Sequence, residues 1–128
     1  MSFFDDWHGK GNEISDTQKF WLQLLNILGV PEPLRFIDFE KSVKGKNTYF
    51  IDAYISSTKI VIEQKSHDID LSKPAQQSDG SIMTPFEQAK RYYDWLPADE
   101  RGKYIITSNF RELHIHDMNT PLADPIVI

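Results

Sequence analysis

Two apolar runs of β-forming residues, 49–55 and 59–65, are separated only by Ser56, Ser57 and Thr58. β-Branched and aromatic side chains favour the pleated strand, and a short polar break between two such runs predicts an antiparallel hairpin. Side chains alternate across a strand, so Glu63 and Lys65 share one face while Ile60 and Ile62 take the other. Both runs carry charge where an apolar residue is expected: Asp52 interrupts the first, and Glu63 and Lys65 close the second. An unpaired carboxylate is costly to bury, so these groups must be paired with one another or bound to an ion.

The chemistry that uses such a set is metal-assisted hydrolysis of a phosphodiester. Hard divalent cations such as Mg²⁺ take oxygen ligands, often one or two protein carboxylates completed by waters and phosphate oxygens. Asp52, Glu63 and the main-chain carbonyl of Gln64 offer those oxygens, and Lys65 offers a compact positive donor beside them. Asp52 followed by Glu63-x-Lys65 is a short pattern, and a structural salt bridge is the commoner explanation when it stands alone.

The pattern does not stand alone. Ile51-Asp52 with Glu63-Gln64-Lys65 resembles the PD-(D/E)xK nuclease motif, with Ile51 in place of the proline. Residues 13–21, 50–55, 62–65, 77–80, 84–92 and 108–110 resemble, in order, the amino-terminal domain of MmeI-like bacterial restriction and DNA methyltransferase fusion enzymes. The similarity runs from about Trp7 to Asp117. It implies a restriction-endonuclease-like α/β fold, with a mixed central sheet flanked by helices around an αβββαβ core. It also implies a Mg²⁺-dependent endonuclease, with Mn²⁺ as a substitute ion, acting on double-stranded DNA in the bacterial cytoplasm. On that resemblance Asp52, Glu63, Lys65 and Gln88 are catalytic, and Asp52, Glu63, Gln64 and Glu13 hold the metal. Residues 1–120 form the nuclease-like domain, and 121–128 begin a linker to a helical spacer, a methyltransferase and a target-recognition domain. S-adenosylmethionine belongs only to that methyltransferase, and, since one site cuts one strand, a dimer is the simple arrangement for cutting both. The alternative reading is a non-catalytic module that docks or positions DNA for the methyltransferase.

Composition agrees with a single domain that has its own core: 128 residues, of which 40% are hydrophobic. With no cysteine, disulfides, thiolate zinc sites and cysteine nucleophiles are excluded. The first residues, Met1 to Asp6, lack the basic and apolar regions of a signal peptide, and the apolar stretch 20–30 is too short to span a bilayer. Fourteen basic against nineteen acidic residues give a net charge of −5, whereas free-standing DNA binders carry basic surfaces. DNA affinity and sequence choice are therefore expected from elsewhere in a larger enzyme. No Gly-rich phosphate loop, serine triad or internal repeat is visible.

Around the hairpin, a helix is expected from Ser15 or Asp16, with Ser15 and Gln18 as a capping box, Phe20, Trp21, Leu24, Leu25 and Leu28 as its core stripe, and Gly29 and Pro31 as its stop. Residues 36–43 read as a first strand, antiparallel to the hairpin. Residues 66–83 read as a long surface loop, in which Lys73, Gln76, Gln77 and Ser78 are either DNA-backbone contacts or ordinary loop residues. Thr84 with Glu87, and Pro85 at the first helical position, predict a helix from Pro85 to about Leu96, with Phe86, Ala89, Tyr93 and Leu96 buried. On it Gln88 and Tyr92 are neighbours and resemble the QxxxY signature of RecB-like nucleases, with Gln88 steadying Lys65 or a phosphate and Tyr92 supporting it. The last strands are 103–108 and 112–117, with Leu113 and Ile115 inward and His114 and His116 outward, where no third ligand completes a zinc site. Glu13 either joins the metal shell, directly or through water, or interacts with a helix amino terminus, and Asp16 substitutes if it points away. His67 reads as an exposed loop residue near the proposed site.

Overall fold

The computed structural model describes residues 3–128; Met1 and Ser2, which open the segment read above as unlike a signal peptide, lie outside it. A single turn of helix, α1 (Phe3–Asp6), precedes the amphipathic helix α2 (Thr17–Ile27), which buries Phe20, Trp21, Leu24 and Leu25 on one face. Gly29 follows at φ +87°, a left-handed conformation that glycine adopts without steric cost and that ends the helix. The start of α2 differs from expectation. Asp16 already has near-helical dihedrals and makes no side-chain cap, and its carboxylate turns back to accept from the Asn12 N–H at 2.9 Å. Asn12 organises the turn instead, its side-chain oxygen accepting from the N–H groups of Ile14 and Ser15.

Strands β1 (Ile37–Lys44), β2 (Thr48–Ile55) and β3 (Ile60–Gln64) form the expected antiparallel meander. A long connection follows, broken by a small hairpin, β4 (Ala75–Gln76) and β5 (Ile82–Met83), where a plain surface loop was expected. Helix α3 (Pro85–Trp95) then carries the chain across to β6 (Tyr104–Ser108), which lies parallel to β3, and β7 (Leu113–Asp117) returns antiparallel. The α3 capping box is formed in full, with Thr84 Oγ1 accepting from Glu87 N and Glu87 Oε1 accepting from Thr84 N. Its buried stripe is Ala89, Tyr92 and Leu96, with Phe86 and Tyr93 partly covered. Residues 121–128, expected to begin a linker, place β8 (Ile126–Val127) on the edge of the sheet against β7.

The result is a six-stranded mixed sheet, ordered β1-β2-β3-β6-β7-β8, flanked by helices. The fold is α/β and consistent with the restriction-endonuclease-like class. On one face α2 packs Phe20, Trp21, Leu24 and Leu25 with Trp7, Ala53, Ile62 and Phe110. On the other, α3 packs Ala89, Tyr92 and Leu96 with Val43, Ile51, Val61 and Ile105. Strands β1 and β2 change faces midway. Ile37 and Ala53 belong to the α2 side, Val43 and Ile51 to the α3 side, and between them lie Glu40, at φ +57°, and Asp52. No described helix is long and apolar enough to cross a membrane.

The histidines overturn an expectation. His114 and His116 are buried, at 8% and 9% exposure, while Ile115 is only partly so. Alternation into an inner and an outer face holds for a sheet with one solvated side, but β7 is covered on both. Phe86 of α3 stacks on His116 with ring centroids 4.0 Å apart.

Candidate active site

The carboxyl end of β3 carries the site because three elements meet there. Val61 and Glu63 face α3, Ile62 and Gln64 face α2, and β2 leaves its pairing with β3 beyond Ala53. Where the Asp52 backbone drops out of the ladder its side chain takes over, Oδ2 accepting from the Gln64 N–H at 2.8 Å. Glu63 is 4% exposed, and the Lys65 Nζ lies 3.4 Å from its Oε2. That ammonium also donates to Gln88 Oε1 at 2.9 Å, and Gln88 Nε2 donates to the Tyr92 hydroxyl at 3.4 Å. The structure thus brings Asp52, Glu63, Gln64, Lys65, Gln88 and Tyr92 into one connected group.

Charge in this group is not balanced by protein alone, because two carboxylates face one ammonium. Burial first, then the Asp52 charge, holds the Glu63 carboxyl well above the ordinary carboxylate range, against the pull of Lys65. Burial also raises Asp52, opposed by the Gln64 N–H, by a hydrogen bond with Glu63 and by Lys65. The two carboxyls interact directly and titrate as one unit. Such a pair accepts one further positive charge, a proton or a metal ion.

Glu13 stands at the rim. Its N–H donates to Ser66 Oγ at 3.2 Å, its carbonyl accepts from Thr17 Oγ1 at 2.6 Å, and its side chain is exposed. Partial desolvation raises its carboxyl, Lys65 opposes that rise, and Asp52 adds to it, so it shares the field of the site. Glu13 and Asp52 line one small cavity of about 70 Å³ with Ile14, Thr17, Gln18, Phe39 and Glu40. Gly11, at φ +120° and so close to the Phe110 ring that a Cβ would overlap it, fixes this approach by accepting from the His67 N–H at 3.1 Å. Among the described residues no three His, Cys, Asp or Glu side chains form a metal-holding group. The acidic donors are a pair, with Glu13 outside it.

The loop residues stand apart. Gln77 spends its amide within the β4–β5 hairpin, donating to the Ala75 and Met83 carbonyls. Lys73 is exposed, and among the described residues neither side chain hydrogen-bonds a member of the group. Asp79 ties the loop to α3 through Arg91, 3.0 Å away. Hydrogen bonds from Ser81 first, then Arg91, lower its pKa to about 2.

One participant escaped the sequence. The Gln64 side chain, fully buried, accepts from Trp21 Nε1 at 2.7 Å and donates to the carbonyls of Lys65 and Ser108 at 2.9 and 3.2 Å. The available signal was an amide within an apolar strand, on the face of Ile62, opposite a helix carrying a tryptophan.

No curated protein and no solved structure matches the chain. One family does, described as "MmeI, N-terminal domain", over residues 1–126. With that match across nearly all of its length, the chain belongs to the MmeI N-terminal domain family, a module of restriction-modification enzymes.

Proposed function

We propose that the chain is the DNA-cleaving endonuclease domain of a restriction-modification enzyme, hydrolysing phosphodiester bonds with a Mg²⁺ ion, or Mn²⁺ in its place. The observation that carries this reading is the pair of half-buried Asp52 and buried Glu63, short of one positive charge and joined to Lys65. The donor chemistry fits the ion: two carboxylates and the Gln64 carbonyl are hard oxygens, and Mg²⁺ commonly binds few protein groups and keeps several waters. When bound, such an ion stabilises charge on a phosphate and acidifies water.

The chain's own residues do the rest. Asp52 and Glu63 hold the ion, and the Gln64 N–H keeps the Asp52 carboxylate aimed. Lys65, steadied by Gln88 and through it by Tyr92, presents its ammonium to the attacking water or to the phosphate oxygens. Glu13, at the rim beside Asp52, would add its negative charge to the ion's surroundings. Double-stranded DNA is the substrate, two domains meet to cut both strands, and the fused methyltransferase and target-recognition regions supply sequence choice in the bacterial cytoplasm. Lys73 and Gln77 remain candidate contacts to the DNA backbone outside the catalytic group.

The position of Glu13 outside the acid pair gives the second reading, a non-catalytic module that positions DNA, its one structural support. Calorimetric titration with Mn²⁺ separates the two. The nuclease reading expects weak binding by the wild type, none by Asp52→Ala, and Mn²⁺-dependent nicking of plasmid by the wild type fused to its recognition domain. Equal Mn²⁺ binding by wild type and Asp52→Ala would remove it.

A further inference from the structure

Gln64 is completely buried, against Trp21, and needs every polar atom satisfied. Gln64 achieves this by reaching across the sheet. Its oxygen accepts from Trp21 on α2, and its amide donates to the carbonyls of Lys65 and Ser108. Its own main-chain N–H donates to Asp52, and the next N–H, that of Lys65, donates to the same Ser108 carbonyl at 2.7 Å. One residue therefore joins α2, β2 and β6 at the point where β3 ends. The peptide between Gln64 and Lys65 is fixed from both sides. Its carbonyl is the main-chain oxygen assigned to the ion, and the N–H before it aims Asp52.

We propose that Trp21 is a positioning residue for the ion site: through the Gln64 side chain it sets, from the opposite face of the sheet, the orientation of the Asp52 carboxylate and of the Gln64 carbonyl. This rests on the proposed function, because it treats those oxygens as ion ligands. Packing alone needs only the indole ring, since the Trp21 side chain is surrounded by Phe20 and its neighbours on α2. The N–H is the part that packing does not use, and it is spent on Gln64. Loss of such an outer partner lowers metal affinity by roughly 10- to 100-fold where it orients a ligand.

Trp21→Phe keeps a ring and removes the N–H, and Leu24→Ala damages the same core without touching Gln64. Mn²⁺ titration of the full chain, with the spectrum of the bound ion read by electron paramagnetic resonance, should show Trp21→Phe weakened by roughly 10- to 100-fold with an altered spectrum. Leu24→Ala should stay within about twofold of wild type, because its loss falls on stability. Trp21→Phe binding like wild type, or Leu24→Ala weakened equally, overturns the inference. If Trp21→Phe does not fold, Gln64→Met takes its place under the same criteria. If the wild type binds no Mn²⁺, the proposed function fails and the inference is decided by amide exchange in the metal-free chain. There the Gln64 N–H of Trp21→Phe should exchange faster relative to that of Ile105, a core amide of β6, and an unchanged ratio overturns it.

Discussion

Helix α3 borders two polar pairs, and burial resolves them in opposite ways. Toward Phe86 lie His114 and His116; Gln88 holds Lys65, which pairs with Glu63 beside Asp52. Burial, helped by His114, lowers the His116 pKa from 6.5 to about 4, so the imidazole becomes neutral simply by losing a proton and then stacks on a ring. Carboxylates become neutral only by gaining something. The acid pair therefore attracts a cation where His116 sheds a proton, although both pairs are of residue types that ligate metals. A buried polar cluster is a site when its charge is left unresolved.

The largest effect should come from breaking the acid pair. Asp52→Ala should reduce DNA cleavage by the enzyme by at least about 100-fold, with Mn²⁺ binding lost to calorimetry, whereas His116→Gln should leave both unchanged. Lys65→Met divides the roles within the pair. Cleavage should fall by roughly 100-fold or more, as for removal of a transition-state charge donor, while Mn²⁺ binding persists, because the acids lose their competing ammonium.

Acid titration sharpens the contrast. Folded His116 binds fewer protons than the unfolded chain between about 4 and 6.5, so stability should fall as pH drops through that window, by up to roughly 3 kcal/mol. Glu63 acts in the other direction. Its folded carboxyl holds a proton above the ordinary 4.5, so its contribution is complete below that value and is lost as pH rises through the raised one. Denaturation of the metal-free chain across pH should therefore show a shallow maximum. Replacing His116 with Phe should flatten the acidic limb, and Mn²⁺ should flatten the basic one. A basic limb indifferent to Mn²⁺ would mean that proton and ion do not compete at the pair.

The smallest effect probes the element that both regions share. Thr84→Ala removes one half of the α3 capping box and should cost about 1 kcal/mol of stability, lowering the melting temperature without altering Mn²⁺ affinity.

What could be read from the chain follows the range of the forces involved. Strands β2 and β3 and the α3 capping box are set by residues a few positions apart, and they formed within a residue or two of expectation. The Asp52, Glu63, Lys65 and Gln88 cluster was legible because the hairpin and the β3–α3 connection place them by local geometry. The first cap of α2 was not, because Asp16 turns its carboxylate back to the Asn12 N–H while Asn12 ties down the turn through Ile14 and Ser15. The burial of His114 and His116, the edge pairing of Ile126 and Val127, and the Trp21–Gln64 bond all depend on what packs across the sheet, which periodicity along one strand cannot reveal.

The central claim, that Asp52 and Glu63 form the seat of a divalent cation, is tested most directly by anomalous scattering from crystals soaked in Mn²⁺. A peak between the two carboxylates and beside the Gln64 carbonyl, absent in Asp52→Ala, is the expected result; a soaked wild-type crystal with its only peak elsewhere, or with none, would rule out that seat.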